Sequence, residues 1–242
     1  MQVIKTYCPA RAYELAVRHV LTKGYQQETE DGKQTIESDE IAIVLDHPLT
    51  EPMISTASPF KPALHRVYAE NLLHGENENA FEYTYWRRLH QWGDQLYTGS
   101  PTLDTVVNDQ VAYIVQKLRH DARSRRAVAV TWNPVVDQTV DDVPCLQLLQ
   151  CAIRDRKLQM KVVFRSNDIH LAASANMYGL IKKQQQIADA IGVPVGQYTH
   201  VALIPHIYYE RDSDTLPAMI RHLAIPVDQM PAFLVSALNR ER

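Results

Sequence analysis

The sequence predicts one α+β domain over residues 1–242, with a mixed β-sheet packed against helices. Three observations lead there. Apolar residues make up 45% of the 242 positions, enough for a substantial core. No linker, repeat or low-complexity stretch divides the chain. Helical and strand periodicities both occur, without the regular alternation that a βαβ series requires.

Gln2 to Tyr7 alternates like a strand. Ala10 to Lys23 carries apolar residues at helical spacing (Ala12, Leu15, Ala16, Val20) and stops at Gly24. Ile41 to Leu45 is a short apolar run, expected as a strand, and the four prolines between Pro48 and Pro62 mark a loop. Helices are expected at about Ala63 to Leu73 and Phe81 to Trp92, a loop at Gly93 to Pro101, and a stronger helix at Asp104 to His120, striped by Val107, Val111, Ile114 and Leu118. Ala127 to Trp132 reads as a strand. Leu146 to Arg154 and Leu158 to Phe164, parted by Asp155, Arg156 and Lys157, read as a hairpin. Ala175 to Ile191 is helical, with Gly192 and Pro194 as stop signals. Gln197 to Tyr209 is strand-like, Thr215 to Leu223 a short helix, and Pro226 onward a short tail.

The net charge is -3, with both signs interspersed, so no basic field for nucleic acid exists and an anionic ligand must be held by a few placed arginines. The three cysteines, Cys8, Cys145 and Cys151, have neither zinc-site nor disulfide-framework spacing. No His-x-x-x-His or Glu-x-x-His pair stands convincingly on a helix, and no metal is expected. Met1 to Ala10 has no signal-peptide character, and no stretch approaches the ~20 apolar residues of a membrane helix. A cytoplasmic protein without membrane contact is expected.

Chemistry concentrates around Val143-Pro144-Cys145, a cysteine held after a proline at the mouth of a strand. Alone it is what a small buried hydrophobe looks like, as Cys8 and Cys151 do. Ser124-Arg125-Arg126 before one strand and Arg165-Ser166-Asn167-Asp168 after another supply guanidinium forks and a hydroxyl suited to a phosphate. An arginine near Cys145 would also favour its thiolate. Asn176 is expected to open a helix, where it is either a cap or a carboxamide that reads a base edge. His206-Ile207-Tyr208 places two polar rings on one strand face.

These segments, at these spacings, resemble the thymidylate synthase family. The carriers are Ser-Arg-Arg-Ala-Val-Ala-Val-Thr-Trp at 124–132, Val-Pro-Cys at 143–145, Arg-Ser-Asn-Asp at 165–168, Asn176, and His-Ile-Tyr at 206–208. Together they span roughly Asp104 to Asp212. The chain length and Glu82-Tyr83-Thr84-Tyr85 look most like the archaeal, methanogen-type branch.

The resemblance implies a thymidylate synthase-like fold whose sheet forms the interface of a homodimer. It implies a transferase that methylates dUMP to dTMP, with methylene-tetrahydrofolate or methylene-tetrahydromethanopterin as co-substrate. Cys145 would be the nucleophile at carbon 6 of the pyrimidine. Arg165 and Ser166 would hold the phosphate, and Arg165 would help ionise Cys145. Arg125 and Arg126 would reach the phosphate in the partner subunit. Asn176 would read the uracil edge, and His206 and Tyr208 would hold the sugar 3′-hydroxyl. Asp168 would contact the pterin or a water bound to it, and Tyr85 would assist proton removal from carbon 5.

The chain departs from the family pattern at Leu146, at Ala172-Ala173-Ser174-Ala175 and at Pro205, and it ends in Asn239-Arg240-Glu241-Arg242 without an apolar tail. A site less protected from water would give a hydroxymethyl product, so a pyrimidine nucleotide 5-hydroxymethylase acting on dUMP, dCMP or CMP is the alternative. A non-catalytic nucleotide-binding protein would keep the arginines without needing Cys145. A thiol hydrolase would pair Cys145 with a base such as His206.

Overall fold

The computed structural model describes residues 1–75, 84–91, 108–134 and 136–240. Its larger sheet has six strands: β1 (Gln2–Thr6), β4 (Ile41–Leu45), β9 (Val195–Ala202), β7 (Lys157–Phe164), β6 (Leu146–Arg154) and β5 (Val128–Val130), adjacent in that order. β1–β4 and β7–β9 pair parallel, and β4–β9, β6–β7 and β5–β6 antiparallel, so the sheet is mixed. A second sheet of four short strands runs β2 (Tyr25–Glu28), β3 (Gln34–Glu37), β10 (Pro205–Ile207), β8 (Asn167–Asp168). The architecture is α+β, with mixed sheets packed on helices, as expected.

The helices are α1 (Pro9–Lys23), α2 (Pro62–His74), α3 (Tyr85–His90), α4 (Gln110–His120), α5 (Ala173–Ile191), α6 (Leu216–His222) and α7 (Ala232–Arg240). α5 is central. Leu180, Ile181, Ile187 and Ala188 are buried, as are the polar Asn176, Lys183 and Gln184, so little of this helix meets water. Gln184 Nε2 donates to the carbonyls of Leu158 (2.8 Å) and Gly196 (3.2 Å), which fastens α5 across the starts of β7 and β9. α2 lies against α5 at Gly179, where a Cβ would stand 2.8 Å from the Tyr68 ring. The missing side chain is what lets the two helices approach.

The hairpin is present but its turn is tighter than expected. Lys157 pairs with Arg154, leaving Asp155 and Arg156 as the two loop residues, both at positive φ (50° and 58°). This is the twist that suits a two-residue hairpin. The expected helix at 104–120 begins at Gln110, because the Asp109 side chain accepts from the Ala112 N–H (2.8 Å) and caps it; residues 104–107 lie outside the described set. Of the helix expected over 81–92, Tyr85–His90 is helical, while 81–83 and 92 lie outside the described residues, as does the loop expected over 93–101.

Other expectations are corrected. α5 starts at Ala173, so Asn176 does not open it and caps nothing. The run 197–209 is two strands in different sheets, β9 and β10. The expected tail after Pro226 contains α7, whose Leu234 is buried. The hairpin β2–β3 was not foreseen, since Tyr25–Glu28 is exposed throughout and shows no apolar alternation. No described helix is long and apolar enough to cross a membrane.

Candidate active site

Cys145 stands immediately before β6, and Arg165 immediately after β7, the partner strand of the hairpin. The ladder therefore brings them together, with the Arg165 N–H donating to the Cys145 carbonyl (2.8 Å). The guanidinium then turns onto the segment before the cysteine. Nε donates to the Pro144 carbonyl (3.1 Å) and Nη2 to the Val143 carbonyl (3.1 Å). Among the described residues two of its five donors are used, both on backbone carbonyls, and three are left for an anion. On the other side of Cys145, the Tyr85 hydroxyl accepts from the Leu146 N–H (3.2 Å), and its ring meets Phe164 edge-on.

Burial pushes the Cys145 thiol up, and the neighbouring Arg165 charge offsets part of that rise. Arg165 thus favours the thiolate, as expected of a nearby arginine, but desolvation is the larger effect and leaves the thiol raised. Cys151 is wholly buried, with its thiol pushed up to about 12, and Cys8 is also buried, as core packing requires.

β8 and β10 pair parallel, with Pro205 beside Asn167 and His206 beside Asp168. The register sets the polar groups of both motifs side by side. His206 Nδ1 donates to the Ile204 carbonyl (3.2 Å) and lies 3.3 Å from the Ser166 hydroxyl. The Tyr208 ring stands edge-on to His206 with centroids 5.0 Å apart. Arg211, which sequence reasoning missed, stacks over Tyr208 at 4.4 Å and donates to Asp168 Oδ2 (2.5 Å). Asp168 Oδ1 accepts from the His170 and Leu171 N–H groups (3.1 and 3.0 Å). Among the described residues three of its roughly four acceptor positions are thus taken, and one remains for a ligand N–H or a water.

Asn176 points into the same region from the second turn of α5. Its Oδ1 accepts from Asn167 Nδ2 (3.1 Å), and its Nδ2 donates to the Tyr68 hydroxyl (2.8 Å). Asn167 Oδ1 in turn meets His200 Nε2 (2.8 Å), and His200 Nδ1 meets the Tyr198 hydroxyl (3.1 Å). Tyr68, His200 and Tyr198 were also missed, and nothing local in the sequence marks them.

Arg125 and Arg126 are not brought to this cluster within the chain. They are exposed and precede β5, whose Val128 pairs with Gln150, toward the far end of β6 from Cys145. Arg125 lines a shallow depression with Gln150, Arg154 and Lys161.

The thymidylate synthase family profile matches residues 11–235, well beyond the motif-bearing stretch 104–212. The chain is 38% identical over 219 residues to a protein of Methanocaldococcus jannaschii named "Putative thymidylate synthase", covering 88% of this chain and 94% of the relative. It is 35% identical over 192 residues to a protein of the same name from Methanosarcina barkeri, covering 79% and 82%. A third, from Methanopyrus kandleri, is 36% identical over 153 residues, covering 63% and 66%. All three sources are methanogens, the branch that the motifs resemble.

Proposed function

Because the chain belongs to the thymidylate synthase family, we propose that it methylates dUMP to dTMP as one thymidylate synthase-like domain spanning residues 1–242. The observation that supports this reading is the set of polar contacts beside Cys145: Arg165 bonded to the Pro144 carbonyl, Ser166 next to His206, and the Asn176 carboxamide bonded to Asn167, delivered by neighbouring strand ends and α5.

In this reading the Cys145 thiolate bonds to carbon 6 of the pyrimidine, and the displaced electron pair moves toward the oxygen at position 4. Asn176 donates to that oxygen and accepts from the ring N–H beside it. Because burial raises the thiol, Arg165 acts in two ways. It faces the phosphate, and it partly compensates the desolvation of the thiolate. Ser166 adds a donor to the phosphate, and His206 and Tyr208 hold the 3′-hydroxyl. Tyr85 assists loss of the proton from carbon 5; its hydroxyl is held beside Leu146, one residue from the nucleophile. Asp168, with one acceptor position left, takes the pterin or its water. The reduced pterin, tetrahydrofolate or tetrahydromethanopterin type, supplies the one-carbon unit and the hydride that completes the methyl group.

The remote, exposed position of Arg125 and Arg126 supports a homodimer in which they complete the partner's phosphate site across the sheet. Three free cysteines suit a cytoplasmic enzyme.

The test is mass spectrometry of the product formed from dUMP, or from dCMP and CMP, with either methylene-pterin. A methyl group on dUMP, lost in Cys145→Ser, is the expected result. A hydroxymethyl group would move the chain to the hydroxymethylases, and tight nucleotide binding without product would overturn the enzymatic reading.

A further inference from the structure

We propose that Tyr198, His200 and Asn167 form a buried relay of fixed polarity that orients the Asn176 carboxamide and thereby sets the preference for uracil over cytosine. This rests on the reading of Asn176 as the base-contacting residue. A carboxamide can turn by 180° and exchange its donor for its acceptor. Uracil presents an N–H at ring position 3 and an oxygen at position 4, whereas cytosine presents an acceptor and an amine there. With the nucleotide pinned at its phosphate and at carbon 6, one orientation of Asn176 matches uracil and the other cytosine. An asparagine free to turn would accept both.

The relay removes that freedom, and its direction starts at Tyr198. This tyrosine is wholly buried, and His200 Nδ1, 3.1 Å away, is the hydrogen-bond partner of its hydroxyl among the described residues. A buried phenol hydrogen must be given to an acceptor, so Nδ1 takes it. His200 is itself buried, stacked on Phe164 at 4.7 Å, and held neutral. Its single proton therefore sits on Nε2 and is donated to the neighbour at 2.8 Å, which must be Asn167 Oδ1. Asn167 then offers Nδ2, and the atom it meets at 3.1 Å must be an acceptor, Asn176 Oδ1. Nδ2 of Asn176 is directed to the Tyr68 hydroxyl, 2.8 Å away. One lone pair on Oδ1 and one N–H on Nδ2 remain, the pattern that complements uracil. Reversing Asn176 would set two N–H groups against each other in a buried place.

None of Tyr198, His200 and Asn167 is assigned contact with substrate, so they are positioning residues. The readout is base discrimination, which loss of packing alone would not invert. Equilibrium binding of dUMP and dCMP would be measured on the full chain, wild type and variant, with thermal unfolding as the check on folding. Asn167→Leu cuts the relay, and discrimination should fall roughly tenfold to a hundredfold, mainly through tighter dCMP binding. Asn167→Asp offers only acceptors, so Asn176 should turn and the preference should invert. Should Asn167→Asp not fold, Asn167→Leu and the tautomer carry the test. In ¹⁵N-histidine NMR of the wild type, with the His200 signal assigned by its absence in His200→Gln, the proton should lie on Nε2. A proton on Nδ1, or folded variants that keep the wild-type ratio, overturns the relay while leaving the proposed function standing. A wild-type chain that binds neither nucleotide, with the proton on Nε2, overturns the functional reading and the specificity drawn from it.

Discussion

Gly179→Ala tests how closely α2 must approach α5 for Tyr68 to reach Asn176. The added Cβ would lie 2.8 and 2.9 Å from two carbons of the Tyr68 ring and 3.2 Å from Leu72 Cδ2. Carbon atoms settle near ~3.5–4.0 Å, so the ring must retreat by roughly 0.7–1 Å. Overpacking of this kind costs about 1–3 kcal/mol. Replacing a helical glycine by alanine returns up to about 1 kcal/mol. The net loss is therefore ~0–3 kcal/mol, a fall of ~0–12 °C in Tm for a chain of this size. The larger effect is expected on binding. The Tyr68 hydroxyl accepts from Asn176 Nδ2 at 2.8 Å, and a ring that retreats strands that donor. A stranded buried donor costs ~1–3 kcal/mol, or about 5- to 150-fold in affinity for dUMP. Calorimetric unfolding and nucleotide titration of the same preparation measure both. A variant stabilised by the full helix-propensity gain, with unchanged dUMP affinity, would show that the ring moves aside freely and refute the reasoning.

Three further outcomes are expected. Asp137 is wholly buried and receives Arg88 Nη2 at 2.7 Å and the Asn133 N–H at 2.6 Å, so Asp137→Ala should lower the urea midpoint, with a loss of about 3–5 kcal/mol at unchanged m. Burial lowers Lys183 from 10.5 to about 8, so between those pH values the unfolded chain binds more protons than the folded one. Stability should rise by up to ~3 kcal/mol as pH climbs through that window, and Lys183→Met should flatten this rise in urea titrations at both ends. Burial holds His200 at about 3 and His170 at about 4, against 6.5 when exposed. Unfolded chains take up protons there that the fold refuses, so stability should fall below pH 6.5 by ~1.4 kcal/mol per unit for each ring, and an unchanged urea midpoint between pH 6.5 and 5 would count against it.

How far the sequence could be read depended on whether a feature leaves a local trace. α1, the β6–β7 hairpin and the C-terminal stop of α5 at Gly192 are written in apolar periodicity and in glycine placement. The hairpin β2–β3 is not, because its first strand is exposed on both faces and carries Tyr25, Gln26, Gln27 and Glu28 with no alternation. α5 begins earlier than expected because Ala173 and Ser174 are buried helix residues rather than a loop. Cys145, Arg165, Ser166, Asn176, His206 and Tyr208 were picked out through motif resemblance; the contacts join Arg165 to the segment before Cys145, Ser166 to His206, His206 to Tyr208, and Asn176 to Asn167. Tyr68 could not be found, since its bond to Asn176 joins residues 108 positions apart. The Asn167–His200 bond spans 33 positions, and Asn167 was quoted within a motif without a role. Polar contacts of that kind have no period and no preferred neighbour in the chain.

The separations themselves bear on how the site comes together during folding. Arg165 closes onto Pro144 across 21 positions, Ser166 onto His206 across 40, and Tyr68 onto Asn176 across 108. Cys145 and the Arg165 guanidinium can therefore meet when a two-residue turn closes, with no helix required to dock first. Loop-closure entropy grows only logarithmically, so the longest of these closures is more expensive than the shortest by only about 1.5 kcal/mol. The Tyr68–Asn176 contact is thus disfavoured little by distance along the chain. Lengthening the chain at the exposed Ala122–Arg123, between α2 and α5, should slow formation of the Tyr68–Asn176 contact more than it weakens the finished one.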